Sequence, residues 1–130
     1  MKKPAKDFKT WLIWTMRKAS YRWPPRSQAF RAAQVSRSEY VKTPGPGAAA
    51  SDRVRNFYRC ALCKKVYART RVSADHIKPV VDPKRGWQDW EEYLQRLFCE
   101  VKGFQIICSD CHDQKTKRER RIRTKYRKKL

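Results

Sequence analysis

Acidic side chains are scarce in this chain. It carries 12 Asp and Glu against 33 Lys and Arg, a formal net charge of +21, which leaves a strongly unbalanced surface and points to polyanionic partners. No long apolar run and no lipidation signal is present, so the cationic character is not read as a membrane anchor. A secretory signal is also lacking, and the cysteine count of five is odd. Both argue against a disulfide framework and for a reducing, cytoplasmic setting. No internal repeat is visible, so the chain is not read as an array. Histidine is the rarest informative residue, with two copies.

The positive charge is uneven. Residues 1–50 hold 11 basic and 2 acidic side chains, residues 51–71 hold 7 and 1, and residues 112–130 hold 10 and 2. Residues 72–111 reverse the balance, with 5 basic and 7 acidic. A slightly acidic insert between cationic flanks fits a protein that neutralises phosphates on either side of a different kind of site. At 130 residues the chain suits one small domain plus an appendage, and a core of that size gains from a metal staple.

The cysteines supply such a staple. Cys60-Ala-Leu-Cys63 and Cys108-Ser-Asp-Cys111 are two CxxC knuckles, and four thiolates so paired can grip one tetrahedral zinc ion. The 44-residue spacer between Cys63 and Cys108 is longer than a plain zinc ribbon needs, so folded structure is expected inside it. Cys99, in the apolar run Leu97-Phe98-Cys99, reads as a buried thiol rather than a ligand. Asp75-His76 lies within the spacer and His112 directly follows the second knuckle, so both histidines fall in one constellation.

Periodicity places the remaining elements. Phe8, Trp11, Leu12, Thr15 and Ala19 predict a helix from Asp7 to about Tyr21, which Pro24-Pro25 ends. Ser27 is expected to cap a second helix reaching about Val41, followed by a Pro/Gly/Ala linker over 43–50. Val66-Tyr67-Ala68 and Val72-Ser73-Ala74 read as short strands, with Asp75-His76 at the end of the second. A loop through Pro79, Pro83 and Gly86 leads to a helix carrying Trp87, Trp90, Tyr93, Leu94, Leu97 and Phe98, whose early acids Asp89, Glu91 and Glu92 complement its positive end. Phe104–Ile107 is a strand candidate, and Ser109 or Asp110 caps a final basic helix. The five tryptophans are expected in the core, with Trp23 in its Arg-rich turn the exception, a candidate base-stacking residue.

Three of these stretches resemble the HNH endonucleases: Cys60-x-x-Cys63; Ala74-Asp75-His76-Ile77-x-Pro79; and Phe104-Gln105-Ile106-Ile107-Cys108-x-x-Cys111-His112-x-x-Lys115-Thr116. The cysteine-flanked type common in bacteriophage genomes is the nearest in pattern, and the resemblance covers about residues 57–118. It implies an α+β fold, a small zinc-stapled ββα-metal core with an N-terminal helical, basic extension. In domain terms, 1–50 is the extension and linker, and 51–130 the nuclease domain with its basic C-terminal helix. It implies a metal-dependent endonuclease acting on double-stranded DNA in the cytoplasm of a bacterial host.

By the same resemblance, His76 is the general base that draws a proton from water, and unperturbed imidazole is available for that near neutrality. Asp75 and His112 hold a catalytic divalent ion, which Mg, Mn, Ni or Zn could supply, while the four cysteines hold a structural zinc. Lys115, Lys78, Arg69, Arg71 and Arg118 are the expected DNA contacts. One position departs from the family. Its namesake asparagine usually stands two residues before the Gln matched by Gln105, where this chain has Gly103. Asp82, Glu100, Gln105, backbone groups or water are the candidate substitutes. Adjacent Asp75 and His76 point to opposite faces of a regular strand, so both serve one phosphate only if the chain bends.

Blander readings stand beside these. His76 can be a hydrogen-bonded structural histidine, and His112 a zinc ligand in place of Cys111 or an ordinary helix residue. Lys115 can be plain surface, and the tract from Lys115 to Lys129 a solvated charge run without fixed structure. At the level of the whole chain the alternatives are a zinc-stabilised nucleic-acid-binding module without catalysis, and a basic RNA- or ribosome-associated protein.

Overall fold

The computed structural model describes residues 7–129 and mixes helix with sheet. Helix α1 (Phe8–Ser20) starts where the Asp7 carboxylate accepts the Thr10 amide proton at 2.7 Å, a side-chain cap for an otherwise unpaired donor. Helix α2 (Pro24–Ala33) opens on the two prolines rather than after them, with Trp23 as its N-cap. Proline suits the first helical turn because its missing N–H has no intrahelical acceptor there.

The second helix therefore begins earlier than Ser27, and it also ends earlier than Val41. Gln34–Val35 forms strand β1, which pairs antiparallel with β2 (Phe57–Arg59) through Gln34↔Tyr58 and Val35↔Phe57. The Gln34 amide also donates to Asn56 Oδ1 at 2.6 Å. A short helix α3 (Arg37–Lys42) follows. Long-range pairing to β2 overrides helical periodicity here.

Residues 43–47 do not behave as a free linker. The Gly45 amide donates to the Val66 carbonyl and the Val66 amide to the Thr43 carbonyl, each at 2.8 Å, which lays this segment along β3 (Val66–Ala68). Glycine is required at 45, since a Cβ there would sit 2.0 Å from a Tyr67 ring carbon. The boundary expected at residue 50 is thus crossed by backbone pairing. It is crossed by packing as well, because Ala29 and Phe30 of α2 share one buried cluster with Tyr58, Tyr67, Ile106 and Ile107.

Two sheets result. One is β1-β2-β3; the other pairs β4 (Val72–His76) antiparallel with β5 (Phe104–Cys108), in register from Val72↔Cys108 to His76↔Phe104. Between them, α4 (Trp90–Leu97) is capped by Asp89, which accepts the Glu92 amide at 2.8 Å. Helix α5 (Ser109–Lys129) begins at the residue after β5 ends, and it continues through the basic tract as helix. Two acids of the insert are ion-paired within it, Asp82 with Arg85 and Arg96, and Glu92 with the same two arginines.

Trp23 is not an exposed stacking residue. Its indole N–H donates to the Cys99 carbonyl at 2.6 Å and its ring meets Phe98 edge-on at 5.6 Å. The exposed tryptophans are instead Trp11 and Trp14, 55% and 65% accessible on α1. Among the described residues no helix is long and apolar enough to cross a membrane.

Candidate active site and metal cluster

The chain brings the two knuckles together. Cys60 and Cys63 flank the turn between β2 and β3, while Cys108 closes β5 and Cys111 lies in the first turn of α5. Their four sulfurs lie within 4.8 Å of one another, with Cys63 Sγ 3.9 Å from Cys108 Sγ. Sulfurs at the corners of a zinc tetrahedron stand about 3.8 Å apart, given a zinc–sulfur bond near 2.3 Å, so the cluster can hold a metal ion such as zinc. The turn itself is built for thiolates. Cys60 Sγ accepts backbone N–H groups from Cys63 and Cys108, each at 3.4 Å, and Lys64 takes the left-handed backbone conformation (φ 68°) that closes the knuckle.

Protonation within the cluster is uneven. Burial pushes the Cys63 thiol up, but hydrogen bonds led by the Tyr67 hydroxyl, 3.5 Å away, outweigh it and bring Cys63 down to about 7. Tyr67 is itself pushed up by burial and by Cys108 and Cys63, so it stays a donor. Burial and crowding with Cys108 and Cys60 push Cys111 up. Four thiols so close cannot all ionise unaided, and a bound dication is what lets them.

Asp75 and His76 occupy the last two positions of β4. Cross-strand register sets Asp75 opposite Gln105 and His76 opposite Phe104. Directly opposed residues share a face of the sheet, and the contacts follow: the Gln105 amide donates to Asp75 Oδ2 at 2.9 Å, and the His76 and Phe104 ring centroids are 4.9 Å apart. Although the two side chains leave β4 on opposite faces, both line the same two cavities at its end, of about 390 and 210 Å³. The larger opens between the 79–83 loop and α5, with Lys115, Glu119 and Arg123 on its wall. The smaller is bounded by Arg17, Arg26, Leu97 and His112. Asp75, His76 and His112 therefore line one cavity, although His112 stands 36 positions after His76.

His76 is fixed by backbone. Its Nε2 lies 2.9 Å from the Leu97 carbonyl oxygen; a carbonyl only accepts, so the neutral ring carries its proton on Nε2 and leaves Nδ1 as its basic nitrogen. Burial depresses the His76 pKa below its ordinary value, and Lys115 and Arg17 add to that, while the Leu97 hydrogen bond and Asp75 oppose it. The imidazole is consequently neutral at pH 7.

Asp75 is not a bare carboxylate. Besides Gln105 it meets Lys115, whose ammonium stands 3.1 Å from Asp75 Oδ2, 3.0 Å from the His76 carbonyl oxygen and 2.6 Å from Glu119 Oε1. Burial lowers the Lys115 pKa, but hydrogen bonds to Glu119 and Asp75 outweigh it and keep the ammonium protonated. Lys115 was expected on the DNA-facing surface; its position three residues into the helix after His112 instead turns it inward onto β4. Among the described residues, the four cysteines are the one group of three or more His, Cys, Asp or Glu whose donor atoms converge.

Gly103 has a local cause. A Cβ at this position would lie 2.6 Å from Cys99 Sγ, so the Cys99 thiol fills the space that a side chain at 103 would need. Asp75 and His76 each have a hydrogen-bond partner of their own. The Leu97 carbonyl holds His76, and Gln105 holds Asp75. Asp82, another of the expected substitutes, accepts the Lys84 and Arg85 amides of its own turn at 2.8 and 3.3 Å.

The remaining basic residues divide. The Arg69 guanidinium lies 3.7 Å from the Phe30 ring centroid and donates to the Val72 carbonyl at 3.2 Å, so it serves packing although the residue is exposed. Arg71 is exposed, with one bond to the Pro46 carbonyl at 3.3 Å. Lys78 and Arg118 are exposed. Sequence reasoning missed the Leu97 carbonyl, Glu119 and Arg17; only the four-residue spacing of Lys115 and Glu119 on a helix offered a signal. Comparison with protein-family models, with curated proteins and with solved structures finds no match in any of the three.

Proposed function

We propose that this protein is a metal-dependent endonuclease of the HNH class, acting on double-stranded DNA, with zinc in the four-cysteine cluster. The observation that carries the reading is the pinned imidazole. His76 is half-buried, neutral, held by Leu97, and beside a cavity that Asp75 and His112 also line. A neutral ring with one free basic nitrogen is what proton abstraction from water at pH 7 requires.

In this reading His76 Nδ1 accepts the proton of the attacking water, and the Leu97 carbonyl stabilises the imidazolium that forms. Asp75, oriented by Gln105, and His112 would hold the divalent ion. When bound, such an ion neutralises charge on the phosphate and on the leaving 3′ oxygen. Zinc in the cysteine cluster fixes the joint between β5 and α5, and with it the aim of His112. Exposed Lys78, Arg71 and Arg118, with the rest of α5, supply the cationic surface that draws the DNA backbone.

A second reading has its own observation. The Lys115 ammonium already neutralises Asp75, which favours a zinc-stabilised nucleic-acid-binding module without catalysis. Conversion of supercoiled plasmid with added Mg, Mn or Ni separates the two. Nicking by the wild type and none by His76→Ala, at equal zinc content, supports the nuclease; binding by both with supercoiled DNA left intact supports the module.

A further inference from the structure

Lys115 is the most heavily engaged cation among the described residues of the site. Its ammonium is in contact with three oxygens that belong to two elements: the Asp75 carboxylate and the His76 carbonyl at the end of β4, and the Glu119 carboxylate one turn along α5. Lys115 and Asp75 side chains are only 16% and 11% accessible, so this is an internal ion pair rather than a surface one. Two carboxylates and a carbonyl around one position form a hard, oxygen-rich cradle of the kind that suits Mg or Mn.

A divalent ion bonded to Asp75 Oδ2 and an ammonium 3.1 Å from that same oxygen would stand within a few bond lengths of each other, in a partly buried space where charge repulsion is weakly screened. The two compete for the carboxylate. We propose that Lys115 is the resident cation of Asp75, and that a divalent ion is taken up there only as Lys115 is displaced. The inference rests on the reading of Asp75 as a cation ligand. The exit route is at hand: Lys115 and Glu119 line the cavity of about 390 Å³ beside Arg123, and Glu119 can keep its bond to the ammonium as the side chain swings into that space.

Lys115 thereby sets the affinity of the site. In the free protein the divalent ion competes with an intramolecular cation at high effective concentration, and its apparent binding is weakened accordingly. A DNA phosphate entering the cavity offers the ammonium a new anion and lowers that competition. Divalent-ion binding and DNA binding are then linked, each strengthening the other by the same factor.

The test is Mn binding to the zinc-loaded full chain, read as loss of the free Mn signal in electron paramagnetic resonance. Lys115→Met is expected to bind Mn about tenfold more tightly than wild type, a difference of about 1.4 kcal/mol. Lys115→Arg, which keeps the charge, is expected to stay near wild type. Adding Asp75→Asn to Lys115→Met should abolish the gain. Should Lys115→Met fail to fold, Lys115→Gln, which removes the charge while keeping a polar head, is expected to give a similar gain of about tenfold. Mn affinity unchanged in both Lys115→Met and Lys115→Gln overturns the proposal. So does a gain that survives Asp75→Asn. Plasmid nicking, run in parallel, separates this result from the nuclease reading. Tighter Mn binding without nicking in any variant leaves the Lys115 inference standing and sinks the enzyme; nicking by wild type with no gain in Lys115→Met does the reverse.

Discussion

The Nε2 atom of His76 and the carbonyl oxygen of Leu97 are 2.9 Å apart, a strand end held to the last residue of a helix 21 positions later. That bond sets the tautomer. It also means that the positioning of the candidate base depends on where α4 stops, and α4 stops where Phe98 leaves helical geometry.

The pH dependence of cleavage follows from the sign of the His76 shift. The folded pKa lies below the ordinary 6.5 because burial disfavours the charged ring. The rate should therefore rise with pH along a limb centred below 6.5 and be level at neutrality. Removing a nearby positive charge, as in Arg17→Ala, should move that limb to higher pH. A pH–rate profile of plasmid nicking reads both, and a limb centred above 7 would contradict the assignment.

At position 103 the crowding is directional. Gly103→Asn, which places there the residue usual in the HNH endonucleases, is expected to destabilise the fold by about 1–3 kcal/mol, because the new Cβ meets the Cys99 side chain. Cys99→Gly in the same chain, which removes both the sulfur and the Cβ that would stand 2.6 and 2.8 Å away, should recover much of that loss. Urea unfolding of the single and double variants measures it, and additive losses would remove the steric explanation.

Metal removal should be drastic. Cys60→Ser or Cys111→Ser, or a strong chelator, is expected to abolish the cooperative thermal transition, since binding energy at such a cluster is folding energy. Zinc content and circular dichroism check this together. A folded, zinc-free variant would refute it.

Among the aromatics, Trp23→Phe should cost about 1 kcal/mol through loss of the hydrogen bond to the Cys99 carbonyl. Exposed Trp14→Phe should stay within about 0.5 kcal/mol of wild type. Tyr93→Phe is expected to be neutral or stabilising, because the buried Tyr93 hydroxyl has no hydrogen-bond partner among the described residues. Melting temperatures rank the three.

DNA binding should weaken steeply with salt. Arg118→Ala should lower the log–log slope by about 0.9, one phosphate's share. Arg69→Ala should act differently, reducing stability through Phe30 and Val72 while leaving the slope nearly unchanged. Fluorescence anisotropy on a duplex across a salt series distinguishes them.

Much of this was legible from spacing. The knuckles, the strands before Asp75-His76 and before Cys108, and a helix starting near Ser109 could be placed because side-chain type and period announce them. What escaped was carried by backbone or by distant partners. The Leu97 carbonyl has no side-chain signature. Gln34–Val35 became strand because Phe57 and Tyr58 pair with it, which no local window contains. Lys115 was read outward since its helix face is visible in sequence, whereas Asp75, 40 residues earlier, is not. Gly103 has a neighbour that no spacing announces, the Cys99 thiol in the space a side chain would need.

The position of the four cysteines has a consequence for how the molecule fails. They tie the turn of one sheet to the strand–helix joint of the other. Oxidants attack thiolates first. Peroxide damage at the cluster would thus unfold the protein while leaving Asp75, His76 and His112 chemically intact.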